Sequence, residues 1–232
     1  MSAPSARGLF RATGKTSKPV HVRDLVSGEI VKVDSIAREK DDFYRTPPAA
    51  TLALLDVEGE RIREFETVWE PACGDGAIVG ELESLGFDVY ASDIVPRGFP
   101  CEIRSFYDFG IEPHDAPSTA IVTNPPFAEC SAGRSNARWL WHALDNLGTE
   151  YMALLLPWSW PGAAGIDGLW HKHPPVRIYL MTWRLDFTGQ GAQPALFGWY
   201  VWDRRAANLE PVYLRLGRVD ARQSDLIERL RP

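Results

Sequence analysis

Apolar and polar positions alternate roughly from Val20 to Val33, the period of a strand, which predicts a short hairpin or arm. Ahead of it, Met1–Lys18 is rich in Ser, Ala, Arg, Gly and Lys with few apolar anchors, and is expected to be mobile. From Thr46 the pattern becomes regular. Thr46-Pro47-Pro48 reads as a helix start, with Thr46 as cap and proline in the first turn, and Ala49–Leu55 as the helix. Thr67–Glu70 reads as a short strand, Ile78–Leu85 as a helix, Phe87–Ala91 as the next strand and Ile121–Thr123 as another. Ser135–Leu147 has helical spacing, and the near-continuous apolar run Tyr151–Pro157 suits a strand buried on both faces of a parallel sheet. Val176–Met181 and Phe197–Trp202 follow with little helix between them, so an antiparallel hairpin is expected at the sheet's end. Alternating strands and helices predict an α/β fold, a doubly wound and mostly parallel sheet.

Composition narrows the class. A chain of 232 residues with 45% hydrophobic content can form one sizeable domain, here residues 41–232, preceded by a basic N-terminal arm, residues 1–40. No apolar run reaches the ~20 residues of a membrane span, and the N-terminus lacks a signal-peptide core, so a cytoplasmic protein is expected. Cys73, Cys101 and Cys130 are odd in number and widely spaced, which argues against a disulfide framework and a structural zinc site; no metal is expected. His171 and His173, near prolines, read as surface loop residues rather than ligands. Residues 1–40 hold eight Lys/Arg against four Asp/Glu, and residues 177–232 nine against six, whereas the middle holds eight against twenty-one. Positive charge confined to the two ends of an acidic chain is either solvated surface or a means of holding a phosphate backbone.

The candidate chemistry lies in Asn124-Pro125-Pro126-Phe127, directly after an apolar strand. An exocyclic amino nitrogen on a base is a poor nucleophile because its lone pair is delocalised. If the Asn124 side-chain oxygen and the Pro125 carbonyl each accept one of its hydrogens, the nitrogen can pyramidalise toward a methyl sulfonium. Two prolines stiffen the turn, and Phe127 can stack on a flipped base. The plain alternative is a rigid turn ending a strand. Upstream, Glu70-Pro-Ala-Cys-Gly-Asp-Gly76 lets the backbone approach a ligand at a helix N-terminus, and Asp93, at a strand end, can accept two ribose hydroxyls. A nicotinamide dinucleotide site would use similar features.

Residues 41–47 (Asp-Asp-Phe-Tyr-Arg-Thr-Pro), 70–76, Asp93, 107–109 (Tyr-Asp-Phe) and 124–127 together resemble the ordered motifs of S-adenosylmethionine-dependent amino-methyltransferases. The Thr-Pro segment comes first, as in the gamma class of DNA N6-adenine methyltransferases, and residues 173–203 are similar to small phage and prophage enzymes of that kind. The resemblance covers roughly residues 41–205 and implies a Rossmann-like class I methyltransferase fold with S-adenosyl-L-methionine as cofactor. It implies that Tyr44 and Thr46 meet the methionine part of the cofactor, that Glu70, Pro71, Ala72, Cys73, Gly74 and Gly76 wrap it, and that Asp93 holds the ribose. Ile94 and Phe109 would pack on the adenine and Asp108 accept from its amino group. Asn124, Pro125 and Phe127 would act on the substrate amine; Asn124 would also border the cofactor. Pro126, Phe187 and Trp158, with Trp160, would face the substrate, although Phe109 also suits the core and Phe187 does so nearly as well as it suits the site. Asp108 suits a cap.

The implied substrate is adenine in DNA. RNA amino groups, a protein glutamine amide, and a non-catalytic cofactor-binding subunit are the alternatives. Pro157-Trp-Ser-Trp-Pro-Gly replaces the more basic loop expected of the small phage enzymes, and about thirty residues after the hairpin leave no room for a large target-recognition domain. Specificity would then be encoded in loops or supplied by a recognition partner or second copy.

Overall fold

Among the described residues, β3 (Thr67–Glu70), β4 (Val89–Asp93), β5 (Glu102–Ile103), β6 (Thr119–Thr123), β7 (Tyr151–Pro157), β8 (Arg177–Met181), β9 (Phe197–Asp203) and β10 (Val212–Leu216) form one eight-stranded sheet. Their order across it is β10-β8-β9-β7-β6-β3-β4-β5. The computed structural model describes residues 43–110, 119–131, 136–163, 165–187, 189, 191–192, 194–206 and 210–219, and the backbone of 20–23 and 30–33. The chain divides into two compact units, Met1–Lys40 and Asp41–Pro232. In the first, β1 (Val20–Arg23) and β2 (Ile30–Val33) pair antiparallel with Val20 opposite Val33. The segment expected to be mobile, Met1–Lys18, lies outside the described residues.

In the second unit every neighbouring pair is parallel except those of β9, which runs antiparallel to both β7 and β8. The expected hairpin is therefore present, but β9 lies inside it against β7, and β10 adds a strand beyond β8. The run Tyr151–Pro157 is the strand the sequence predicts, buried on both faces. Alternation then assigns its side chains: Ala153 and Leu155 join Trp199 and Val201 on one face, Met152, Leu154 and Leu156 join Tyr200 and Trp202 on the other. The first face packs against α1 (Pro48–Ile62) and α2 (Ala77–Ser84), through Leu54, Leu55, Ile78 and Leu82. The second packs against α4 (Arg138–Trp141), the π-helical turn His142–Asn146, and α5 (Asp167–Lys172). A short helix, α3 (Phe127–Cys130), follows β6.

Four expectations from the sequence are corrected by the structure. Thr46 does not cap α1; Pro47 holds the cap position, its carbonyl accepting from Ala50 N at 2.9 Å. The helix runs on past Leu55 to Ile62 because Glu58, charged and 3% exposed, is taken up by Arg177, Tyr151 and Tyr179. The strand expected at Phe87–Ala91 is displaced to Val89–Asp93, since the Gly86 turn (φ +80°) occupies the preceding positions. His171 lies on α5, not in a loop, and His173 Nε2 sits 2.7 Å from Asp145 Oδ1 beside Lys172.

Candidate active site

The carboxyl ends of the parallel strands lie along one edge of the sheet, where doubly wound folds bind ligands. There β3 delivers Glu70 and the loop to Gly76, β4 delivers Asp93 and Ile94, and β6 delivers Asn124–Phe127. Loop geometry explains the glycines. Gly74 (φ +57°) and Gly76 (φ +80°) are left-handed, and a Cβ would meet the Phe43 ring at 2.5 Å and the Phe99 ring at 2.2 Å respectively. Arg97 lies 4.4 Å over Phe43, and Arg45 pairs with Asp75 at 2.7 Å, so the segment before α1 is tied to the loop. These ties escape a reading of the sequence, because each joins residues distant in the chain; Asp75, an acid inside a glycine loop, is the one visible signal.

Asp93 is 7% exposed, and its oxygens accept from Gly74 N at 2.8 Å and Val95 N at 2.9 Å. Each retains a lone pair. Ile94, next in sequence, is 66% exposed. Glu70 is buried; Thr123 Oγ1 and Ala72 N (3.3 Å) donate to one oxygen, and the other has no partner. Burial pushes the Glu70 carboxyl up to about 8, against those hydrogen bonds. Burial also raises the Cys73 thiol, assisted by the neighbouring Cys101. Pro71 and Ala72 form the turn that brings Glu70 back on its own loop.

The Asn124 amide nitrogen donates to Tyr44 O and to Thr46 Oγ1, both at 3.0 Å. Its orientation is thereby fixed, and its side-chain oxygen is left buried without a partner. Thr46, then, serves Asn124 rather than its helix. Phe127 lies nearly parallel to Tyr44 (centroids 6.1 Å, 16°), and Phe187 meets Tyr44 at 5.8 Å and Phe197 at 5.0 Å. Tyr44, Phe127 and Phe187, from three separate segments, thus form one aromatic group, although Phe187 itself is largely buried and packs in the core. Pro125 is buried and Pro126 half-buried.

Other expected residues have contacts of their own. Asp108 is exposed in the turn Phe106–Asp108, which Ser105 caps; Phe109 packs edge-on against Trp69 at 4.7 Å with Arg104 over it at 4.0 Å. That turn is nevertheless held to α3, because Tyr107 Oη donates to Glu129 Oε2 at 2.6 Å. Trp158 leans on Tyr213 of β10 rather than on the aromatic group. Trp160 is core: its indole donates to Cys130 O at 2.9 Å and packs against Trp170, Tyr200 and Trp202.

An adenosyl sulfonium cofactor suits this edge. Glu70 Oε2 and Asp75 Oδ1 are buried acceptors without partners, as a ligand bearing an ammonium and hydroxyls requires. Among the described residues no group of His, Cys, Asp and Glu could hold a metal ion, and no helix is long and apolar enough to cross a membrane.

The sequence matches no protein-family model, and no curated protein matches it. Solved structures do. A protein from Pyrococcus horikoshii assigned as an RNA methyltransferase superposes with a TM-score of 0.51 at 14% identity, over 70% of this chain and 87% of that one. A Listeria monocytogenes protein assigned to the class I S-adenosylmethionine-dependent methyltransferases gives 0.49 at 13% identity, over 80% of this chain and 69% of that one. The fold is that of the class I methyltransferases.

Proposed function

We propose that this protein is an S-adenosylmethionine-dependent methyltransferase acting on an exocyclic amino nitrogen, with N6 of adenine in DNA as the target. The observation that carries the reading is Asn124: its amide nitrogen is held by Tyr44 O and Thr46 Oγ1, and its oxygen is buried with its acceptor capacity unused. That oxygen and the Pro125 carbonyl are the acceptors a planar amine needs to become nucleophilic. Glu70, the loop to Gly76, Asp93 and Ile94 would hold the cofactor, which supplies a methyl group on a sulfonium sulfur. Asp108 and Phe109 are assigned to its adenine end by the motif order.

Phe127 offers the flipped base a face to stack on, with Tyr44 and Phe187 beside it. As the N–C bond formed, the methyl–sulfur bond would break with its electron pair left on sulfur as a neutral thioether, and the methylated nitrogen would release one hydrogen as a proton to solvent, so no side-chain base is required. Motif order and the basic ends of the chain favour DNA. The protein incubated with methyl-labelled cofactor and separate DNA, RNA and protein pools should label DNA; label in another pool alone rejects the substrate. Asn124→Ala should abolish transfer, more than a hundredfold, while cofactor affinity measured calorimetrically changes little.

A further inference from the structure

Most arginines among the described residues are occupied: Arg45, Arg61, Arg104, Arg177 and Arg205 pair with carboxylates, and Arg63, Arg97, Arg138 and Arg204 engage a carbonyl or an aromatic ring. Arg184, Arg215 and Arg218 make no ion pair there, and all three are exposed on β10 or just beyond the carboxyl ends of β8 and β10. The one acid between the β8 end and the aromatic group, Asp186, accepts from Gly189 N and Gly191 N. Tyr213, 56% exposed, lies on the same face of β10 as Arg215, two residues on. Trp158 backs that face. Its ring is 6.1 Å from Tyr213, edge-on, and lies 3.4 Å from where a Cβ on Gly198 would stand. The loop that carries Arg184 outward carries Phe187 inward to Tyr44 and Phe197.

We propose that the β10 edge is a nucleic-acid track adjoining the active site: a base stacks on Tyr213, braced by Trp158, and the phosphate backbone lies along Arg184, Arg215 and Arg218. The inference rests on the methyltransferase reading and adds where the polymer runs. Aromatic faces interleaved with unpaired guanidiniums match a strand of alternating bases and phosphates, whereas an apolar partner would leave those charges unpaired. This surface also supplies positive charge that the acidic middle of the chain lacks.

Binding of fluorescent single-stranded and duplex oligonucleotides, followed by anisotropy at several salt concentrations, tests it. Tyr213→Ala should weaken single-strand binding about tenfold. Arg215→Ala with Arg218→Ala should lower the slope of log K against log salt by roughly 1.5. Unchanged cofactor affinity and thermal midpoint in both variants would exclude misfolding, since the replaced side chains are exposed. Unchanged oligonucleotide binding in both overturns the track; if the wild-type protein still methylates an oligonucleotide, the methyltransferase reading stands without it. A sedimenting dimer that Tyr213→Ala disperses, with oligonucleotide binding intact, assigns the edge to a second copy and also overturns it. Binding to protein and to no oligonucleotide has the same consequence.

Discussion

Asn124 can present its oxygen to a substrate only because two acceptors fix its nitrogen, and one of those is the Thr46 hydroxyl. Thr46→Val should therefore lower the single-turnover rate about tenfold at saturating cofactor, as loss of one hydrogen bond in a buried site predicts, and Thr46→Ser should retain it. A merely structural threonine would show no such difference in rate. Glu70 makes a second prediction. Burial raises its carboxyl from 4.5 to about 8, so between those values the folded protein keeps a proton that the unfolded chain has lost. The stability from that proton is fully present below about pH 4.5 and is lost as pH rises to 8, about 1.4 kcal/mol per pH unit from this group. Urea unfolding at pH 5, 6, 7 and 8 should show this decline in the wild type and a flatter profile in Glu70→Gln.

The loop between β3 and α2 is shaped by two aromatic rings, those of Phe43 and Phe99. Gly76→Ala would force a left-handed residue with a Cβ against Phe99, and should cost roughly 1–3 kcal/mol and abolish cofactor binding, read by thermal shift with and without cofactor. Elements of this kind were legible in the sequence, because a strand, a glycine turn and a helix follow one another within eighteen residues, 67–84. The apolar run of β7 was equally plain. What sequence could not reveal was settled by partners far along the chain: the Thr46 hydroxyl goes to Asn124 instead of the helix end, and Glu58 extends α1 because Arg177 neutralises it. β10 is not marked in the sequence, since its Val212, Tyr213 and Leu214 are exposed and carry no burial pattern. The site divides in the same way. Glu70, Asp93 and Asn124 lie at the strand ends that the apolar runs announce, but the seating of Trp158 and Trp160 depends on β9 and β10, whose neighbours no local pattern announces.

At the scale of the sheet, the buried charge network and the proposed site lie at opposite edges. Glu58, Arg61, Arg177 and Asp203 interlock with Tyr151 where β7 and β8 begin and β9 ends, the far edge from Asn124. Arg177→Met would leave Glu58 charged and buried, costing roughly 3–5 kcal/mol and lowering the thermal midpoint by roughly 10 °C, with the transfer rate per folded molecule unchanged. Both can be read from one preparation by calorimetry and an activity assay at low temperature. The reversed strand β9 has another consequence, for biosynthesis. β7 leaves the ribosome forty residues before Phe197, the first residue of the strand that must seal its open side. At roughly 5–20 residues per second, Met152 to Leu156 wait seconds with one row of amides and carbonyls unclaimed. A chain released before Phe197 should accumulate in the pellet unless a chaperone holds that strand, whereas one released after Asp203 should not.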